Sequence, residues 1–201
     1  MTTRFLGLAV VGAFVAAGSM AAPAQAALIK KPVTTGYVQV TLDAPLSAAF
    51  SATKPGRNST NGMFFPVVGV TKDGVSVSGQ LSVTDPRPSG QSETYPIKVE
   101  FDRANGSGSI VLAPVQVPQT FPLFTFDSMK ASGPTTVVNA KRKVRVVTTT
   151  WTGDLHITDD PGVVANINAA YGTSLVPGER VGAIGIKVSV ATPCKNSACT
   201  K

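Results

Sequence analysis

The chain has 201 residues and a formal net charge of +7, and 43% of its residues are hydrophobic. This length suits one domain with short terminal segments. Two cysteines and one histidine are too few for the usual ligand sets of a metal centre, so the sequence predicts no metal site and no cofactor. The scattered basic excess favours a role in keeping the protein in solution over a dedicated binding surface.

The first 26 residues have the pattern of a secretory signal peptide. Arg4 precedes an apolar run from Phe5 to Ala17, and a small-residue segment ends in Ala24-Gln25-Ala26. The run is too short to span a bilayer, so no membrane span is expected. The sequence predicts cleavage near Ala26 and a secreted, periplasmic or cell-envelope protein, which argues against cytoplasmic functions.

Alternating apolar and polar residues recur along the rest of the chain and predict strands with one wet face. Asp73-Gly74 and Asn105-Gly106 are typical of hairpin turns. We therefore predict an all-β fold, an immunoglobulin-like antiparallel β-sandwich in one domain over residues 27–193. The alternation is clearest in Tyr37–Leu42, Val75–Thr84, Ile97–Asp102 and Ile184–Val190.

The cationic run Lys141, Arg142, Lys143 and Arg145 enters a predicted strand that also carries Trp151. It could form an anion-binding edge or a charged hairpin that prevents edge-to-edge aggregation, and the second interpretation is favoured. Anionic envelope polymers or another envelope protein are the expected partners. Specific nucleic-acid binding is not expected, because a base-stacking platform would need more aromatic residues among these cations.

His156 is the only histidine, so any histidine-based triad must use it. No G-x-S-x-G motif marks a nucleophile. The segment Asp154 to Asp160 lacks the D-x-D-x-D-G pattern of a calcium loop, and adjacent acids at a helix start are more often caps. The sequence therefore predicts no catalytic residue.

One helix is predicted near residues 161–171. Asp159 or Asp160 can cap its first turn, Pro161 suits the first helical position, and Gly172 can end it. Its apolar stripe consists of Val163, Val164, Ile167, Ala170 and Tyr171.

Cys194 and Cys199 are spaced C-x4-C near the end of the chain. In an oxidising compartment this spacing predicts a disulfide that closes a small loop in a tail of residues 194–201. Such a short loop stabilises the whole fold little, so we expect it to protect the tail from fraying.

Three stretches resemble exported actinobacterial β-sandwich proteins related to HtaA-type haem-uptake domains. They are Phe64–Gly69 with the following Val75–Val83, Phe121–Asp127, and Val163–Gly172 with Pro177–Gly182. The resemblance implies a secreted or wall-associated β-sandwich. It does not extend to haem binding, because those domains place their ligating Tyr in a segment with Trp and Phe that the surroundings of Tyr37 lack, and His156 falls in no matching motif.

The leading hypothesis is an exported, non-catalytic interaction module of the cell envelope. The alternative is a carrier of haem or of a small apolar ligand, since Met63–Pro66 and Phe121–Phe126 are rich in aromatic residues that could line a slot, although core packing is the commoner role. A hydrolase that uses His156 is the third hypothesis.

Overall fold

A computed structural model describes residues 32–71, 74–84, 92–112 and 121–194. The predicted signal peptide, Asp73 and Cys199 lie outside the described residues. In chain order the elements are β1 Val33–Leu42, α1 Leu46–Ala49, β2 Phe50–Thr53, β3 Arg57–Ser59, β4 Gly62–Val70, β5 Gly74–Val77, β6 Gln80–Thr84, β7 Ser92–Asp102, β8 Ser107–Leu112, β9 Phe121–Phe126, β10 Lys130–Asn139, β11 Val144–Ile157, α2 Pro161–Tyr171 and β12 Arg180–Pro193.

Eight of these strands form a closed antiparallel barrel. Around the ring the order is β1, β12, β11, β9, β8, β7, β5, β4 and back to β1. The all-β class, the antiparallel pairing and the single longer helix are as predicted. The predicted sandwich, and with it the immunoglobulin-like arrangement, is wrong. Because β7 pairs with β5 on one side and with β8 on the other, the strands close into one barrel and are not divided into two sheets.

Three further pairings extend the barrel wall. β2 and β6 form a small sheet with the first half of β7, where Leu81 lies opposite Tyr95. β3 pairs with the start of β4, and β10 pairs with the first half of β11. Helix α2 lies beside the first extension, with the Tyr171 ring 6.1 Å from the Phe50 ring of β2.

The core occupies the barrel interior, as the period-two alternation requires. On β1 and β12, Val38 lies opposite Ile186, and both are fully buried. Phe65, Phe124 and Phe126 from the two aromatic stretches are also core residues. Burying each such side chain contributes about 1.5–3 kcal/mol, so the barrel interior supplies most of the driving force for folding.

Helix α2 begins and ends as the sequence predicts. The Oδ1 atom of Asp160 accepts hydrogen bonds from the amides of Gly162 (2.8 Å) and Val163 (3.2 Å), and Pro161 takes the first helical position. Gly172 ends the helix in the left-handed conformation at φ 62°. Among the described residues, no helix has the length and apolarity needed to cross a membrane.

Candidate ligand-binding groove

An apolar groove of about 250 Å³ lies between α2 and the barrel wall. Val163, Asn166, Ile167 and Ala170 line it from the helix. Strands β2, β6, β8 and β9 contribute apolar residues to the lining, which are Phe50, Val83, Leu112 and Leu123. Tyr95 lines the groove from β7, and Tyr171 lines it from the end of α2. Apolar lining with a few polar groups is the usual character of a small-molecule site.

The two tyrosines and Asn166 are the polar residues of the groove lining. Tyr95 donates a hydrogen bond from its hydroxyl to the Oε2 atom of Glu93. This bond to a carboxylate, followed by partial burial and the negative charge of Glu93, raises the pKa of Tyr95 to about 12. Tyr95 is therefore a neutral phenol in the physiological range. Tyr171 also lines the groove, with its ring 6.1 Å from that of Phe50.

Asn168 anchors the end of α2 that borders the groove. Its Oδ1 atom accepts hydrogen bonds from the Leu175 amide (2.9 Å) and the Thr173 hydroxyl (2.6 Å). Its Nδ2 atom donates to the Leu175 carbonyl (2.8 Å). Asn168 was not predicted from the sequence, although an Asn inside a helix just before a Gly-Thr loop is a signal, because Asn is disfavoured there unless its side chain bonds to nearby backbone.

The predicted cationic edge lies at the tip of the β10–β11 hairpin. Lys141, Arg142 and Lys143 form the turn and Arg145 follows on β11, and all four are exposed. The Asn139 side chain accepts a hydrogen bond from the Arg142 amide (3.0 Å) and orders the turn. The structure thus brings the four cations together, away from the residues that line the groove.

The C-terminal tail begins beside this tip. The Cys194 amide donates to the Lys143 carbonyl (2.9 Å). Because Cys199 lies outside the described residues, the disulfide remains a prediction.

His156 is half-buried on β11, and its Nδ1–H donates to the main-chain carbonyl of Gly178 (3.0 Å). Within the described ranges this ring is thus held by backbone and not by a serine. Asp154, on the same outward face, is hydrogen bonded to Arg180 (2.8 Å), which lowers the pKa of Asp154. Asp160 serves as the helix cap. The part of the chain that the structure describes holds no group of three His, Cys, Asp or Glu side chains that could hold a metal ion.

Comparison with known proteins shows a similarity in fold to a solved domain. No family model matches the sequence, and no curated protein matches it. The structure is similar to the crystal structure of the C-terminal domain of HtaA from Corynebacterium glutamicum, with a TM-score of 0.50 and 13% sequence identity over 80% of this chain and 99% of that chain. At this identity the likeness shows the fold alone. The chain therefore resembles HtaA-type domains in its fold, as the three sequence stretches predict.

Proposed function

We propose that this chain is an exported, non-catalytic binding module whose ligand site is the groove beside α2. The observation that carries the proposal is the groove itself, in which side chains from one helix and several strands line an open, mostly apolar space of about 250 Å³. The predicted signal peptide and the HtaA-like fold support an extracellular setting. No group in the groove is required to act as an acid, a base or a nucleophile.

The lining selects a neutral, mostly apolar ligand. Pockets that enclose drug-sized molecules usually measure roughly 300–1,000 Å³. This groove is smaller, so it suits a compact molecule or one apolar end of a longer molecule. The Tyr95 hydroxyl donates its one proton to Glu93, so toward a ligand its oxygen can accept a hydrogen bond from a single polar group.

Haem is the second candidate, favoured by the HtaA-like fold and by the presence of two tyrosines in the groove. Ferric haem can be held by a tyrosinate. Tyr95 does not fit that role, because the Glu93 carboxylate stabilises its protonated form. The groove residues thus fit a neutral apolar ligand better than they fit haem.

Titration with the neutral fluorescent probe N-phenyl-1-naphthylamine tests the proposal. Ala170→Phe places a ring in the groove, and Ala169→Phe makes the same change on the exposed face of α2. We expect saturable binding to the wild type and to Ala169→Phe, and a loss of more than about tenfold in affinity for Ala170→Phe. Absence of binding to the wild type, or equal binding to both variants, would contradict the proposal.

Titration with hemin separates the two candidates. A shifted Soret band that survives Tyr95→Phe and disappears with Tyr171→Phe would support haem as the ligand. We expect no shifted band in the wild type at concentrations that saturate the naphthylamine probe.

A further inference from the structure

We propose a second binding site, for an acidic polysaccharide, on the outer wall of the barrel where β4, β1 and β12 lie side by side. We define the aromatic platform as Tyr37, Phe64, Arg57 and Lys187. These residues do not contribute to the α2 groove, and only Phe64 belongs to a stretch, Met63–Pro66, that the sequence suggested as the lining of a ligand slot.

Two aromatic rings form the centre of the platform. Tyr37 and Phe64 point outward because their neighbours Val38 and Phe65 are buried in the core. Their ring centroids are 5.5 Å apart with planes at 65°. A cleft of about 210 Å³ lies beside them, with Arg57 among its lining residues. Half-buried aromatic rings on the wet face of a sheet are available to the apolar C–H faces of a sugar.

Two cations flank the rings in fixed positions. The Arg57 guanidinium carbon lies 4.9 Å from the Phe64 centroid, and the Lys187 Nζ atom lies 5.9 Å from the Tyr37 centroid. Cation–π attraction restrains both side chains. The two side chains therefore lose less conformational entropy on ligand binding than freely rotating side chains would.

Within the residues that the structure describes, neither Arg57 nor Lys187 forms an ion pair. Within the described residues, Asp154 is the only acidic side chain on β1, β3, β4, β10, β11 and β12, and it is hydrogen bonded to Arg180. Asp154 aligns with Ala183 and Thr41, four positions from Tyr37, which is about 13 Å along the strand. The charge of the platform thus complements a carboxylate or another anionic group.

A row of hydroxyl groups continues from the platform across four strands. Thr35 on β1 aligns with Ser189 on β12, then with Thr148 on β11 and Thr135 on β10. The Thr148 and Ser189 hydroxyl oxygens are 2.8 Å apart. Four neighbouring strands span roughly 14 Å, so the row can follow an extended ligand away from the rings.

A polysaccharide with acidic sugars uses all three features together. Its C–H faces contact the rings, its carboxylates meet Arg57 and Lys187, and its hydroxyls meet the Thr and Ser row. A single-stranded nucleic acid fits less well, because successive bases need a series of rings on which to stack, whereas this surface has two rings followed by a row of hydroxyl groups.

Binding to polygalacturonate, with fully methyl-esterified polygalacturonate as the neutral match, tests the inference. The variant Arg57→Ala/Lys187→Ala removes two charges from the platform, and Lys141→Ala/Arg142→Ala removes two from the hairpin tip. We expect the first variant to lose at least about tenfold in affinity and the second less than about twofold. The esterified polymer is expected not to bind.

A third variant separates stacking from charge. Tyr37→Leu is expected to weaken polygalacturonate binding without changing its dependence on salt, because the lost contact is not ionic. Circular dichroism and thermal unfolding check that each variant is folded. Equal losses in the two charge variants, tighter binding of poly(dT) or of anionic phosphatidylglycerol vesicles than of polygalacturonate, or no binding to polygalacturonate would overturn the inference.

Discussion

Replacing Asn168 with alanine removes the side chain that ties the end of α2 to the following loop. The change deletes three hydrogen bonds, two to Leu175 and one to Thr173. A hydrogen bond contributes about 1 ± 0.5 kcal/mol net. Because the site is only part-buried, water can satisfy some of the groups left behind. We therefore expect Asn168→Ala to lower the free energy of unfolding by about 2–3 kcal/mol.

Thr173→Val is the matched partial change, since it keeps the side-chain shape and deletes only the hydroxyl that donates to Asn168. Its expected cost is about 1 kcal/mol. Urea denaturation measures both variants, and for a protein of this size Asn168→Ala should lower Tm by roughly 5–10 °C. Because α2 lines the groove, the probe affinity should fall as well.

A free energy of unfolding for Asn168→Ala within about 0.5 kcal/mol of the wild-type value would contradict the anchoring role of Asn168. The same role is contradicted if Asn168→Ala and Thr173→Val have the same cost, because the two bonds to Leu175 would then contribute nothing.

Three further outcomes follow from single contacts. Asp160→Ala should cost about 1 kcal/mol in urea denaturation, because it removes the α2 cap, whereas Asp159→Ala should cost less than half of that. Gly182→Ala should destabilise by more than about 2 kcal/mol, since its Cβ would overlap the Thr41 carbonyl, whereas Gly133→Ala meets open space and should change stability little. In a spectrophotometric titration Tyr95 should ionise near pH 12 and not near its ordinary value of 10. Because the pKa of Tyr95 is higher in the folded state than in the unfolded state, its contribution to stability is complete below pH 10 and is lost between pH 10 and about 12. An unchanged urea midpoint in Asp160→Ala or Gly182→Ala, or a Tyr95 midpoint near 10, would contradict the respective reasoning.

Local features of the fold were predictable because their signals lie within a few residues. The cap, the first-turn proline and the terminal glycine of α2 are adjacent in sequence, and each acts through the backbone next to it. The Asn105-Gly106 turn lies between β7 and β8 for the same reason: Gly106 takes a φ of 68°, which most side chains disfavour.

The candidate sites were less predictable, because their residues are distant in sequence. The groove joins Phe50 to Tyr171, and the platform joins Tyr37 to Lys187. The sequence identified Met63–Pro66 as aromatic, but only the strand register shows that Phe64 faces outward while Phe65 faces the core.

Three properties follow from the order of residues alone: antiparallel strands with one buried face, a helix that ends at Gly172, and the densest cations at a hairpin tip. These properties depend on alternation, on backbone conformational preference and on neighbouring charges. Tertiary structure decided that the sheet closes into a barrel instead of splitting into a sandwich. Period-two alternation gives every strand one wet and one buried face in either architecture, and the choice depends on which strand edges meet. That pairing, β7 with β5 and β8 and β4 with β1, involves backbone groups that are the same in every residue, so only the packing of the whole chain selects it.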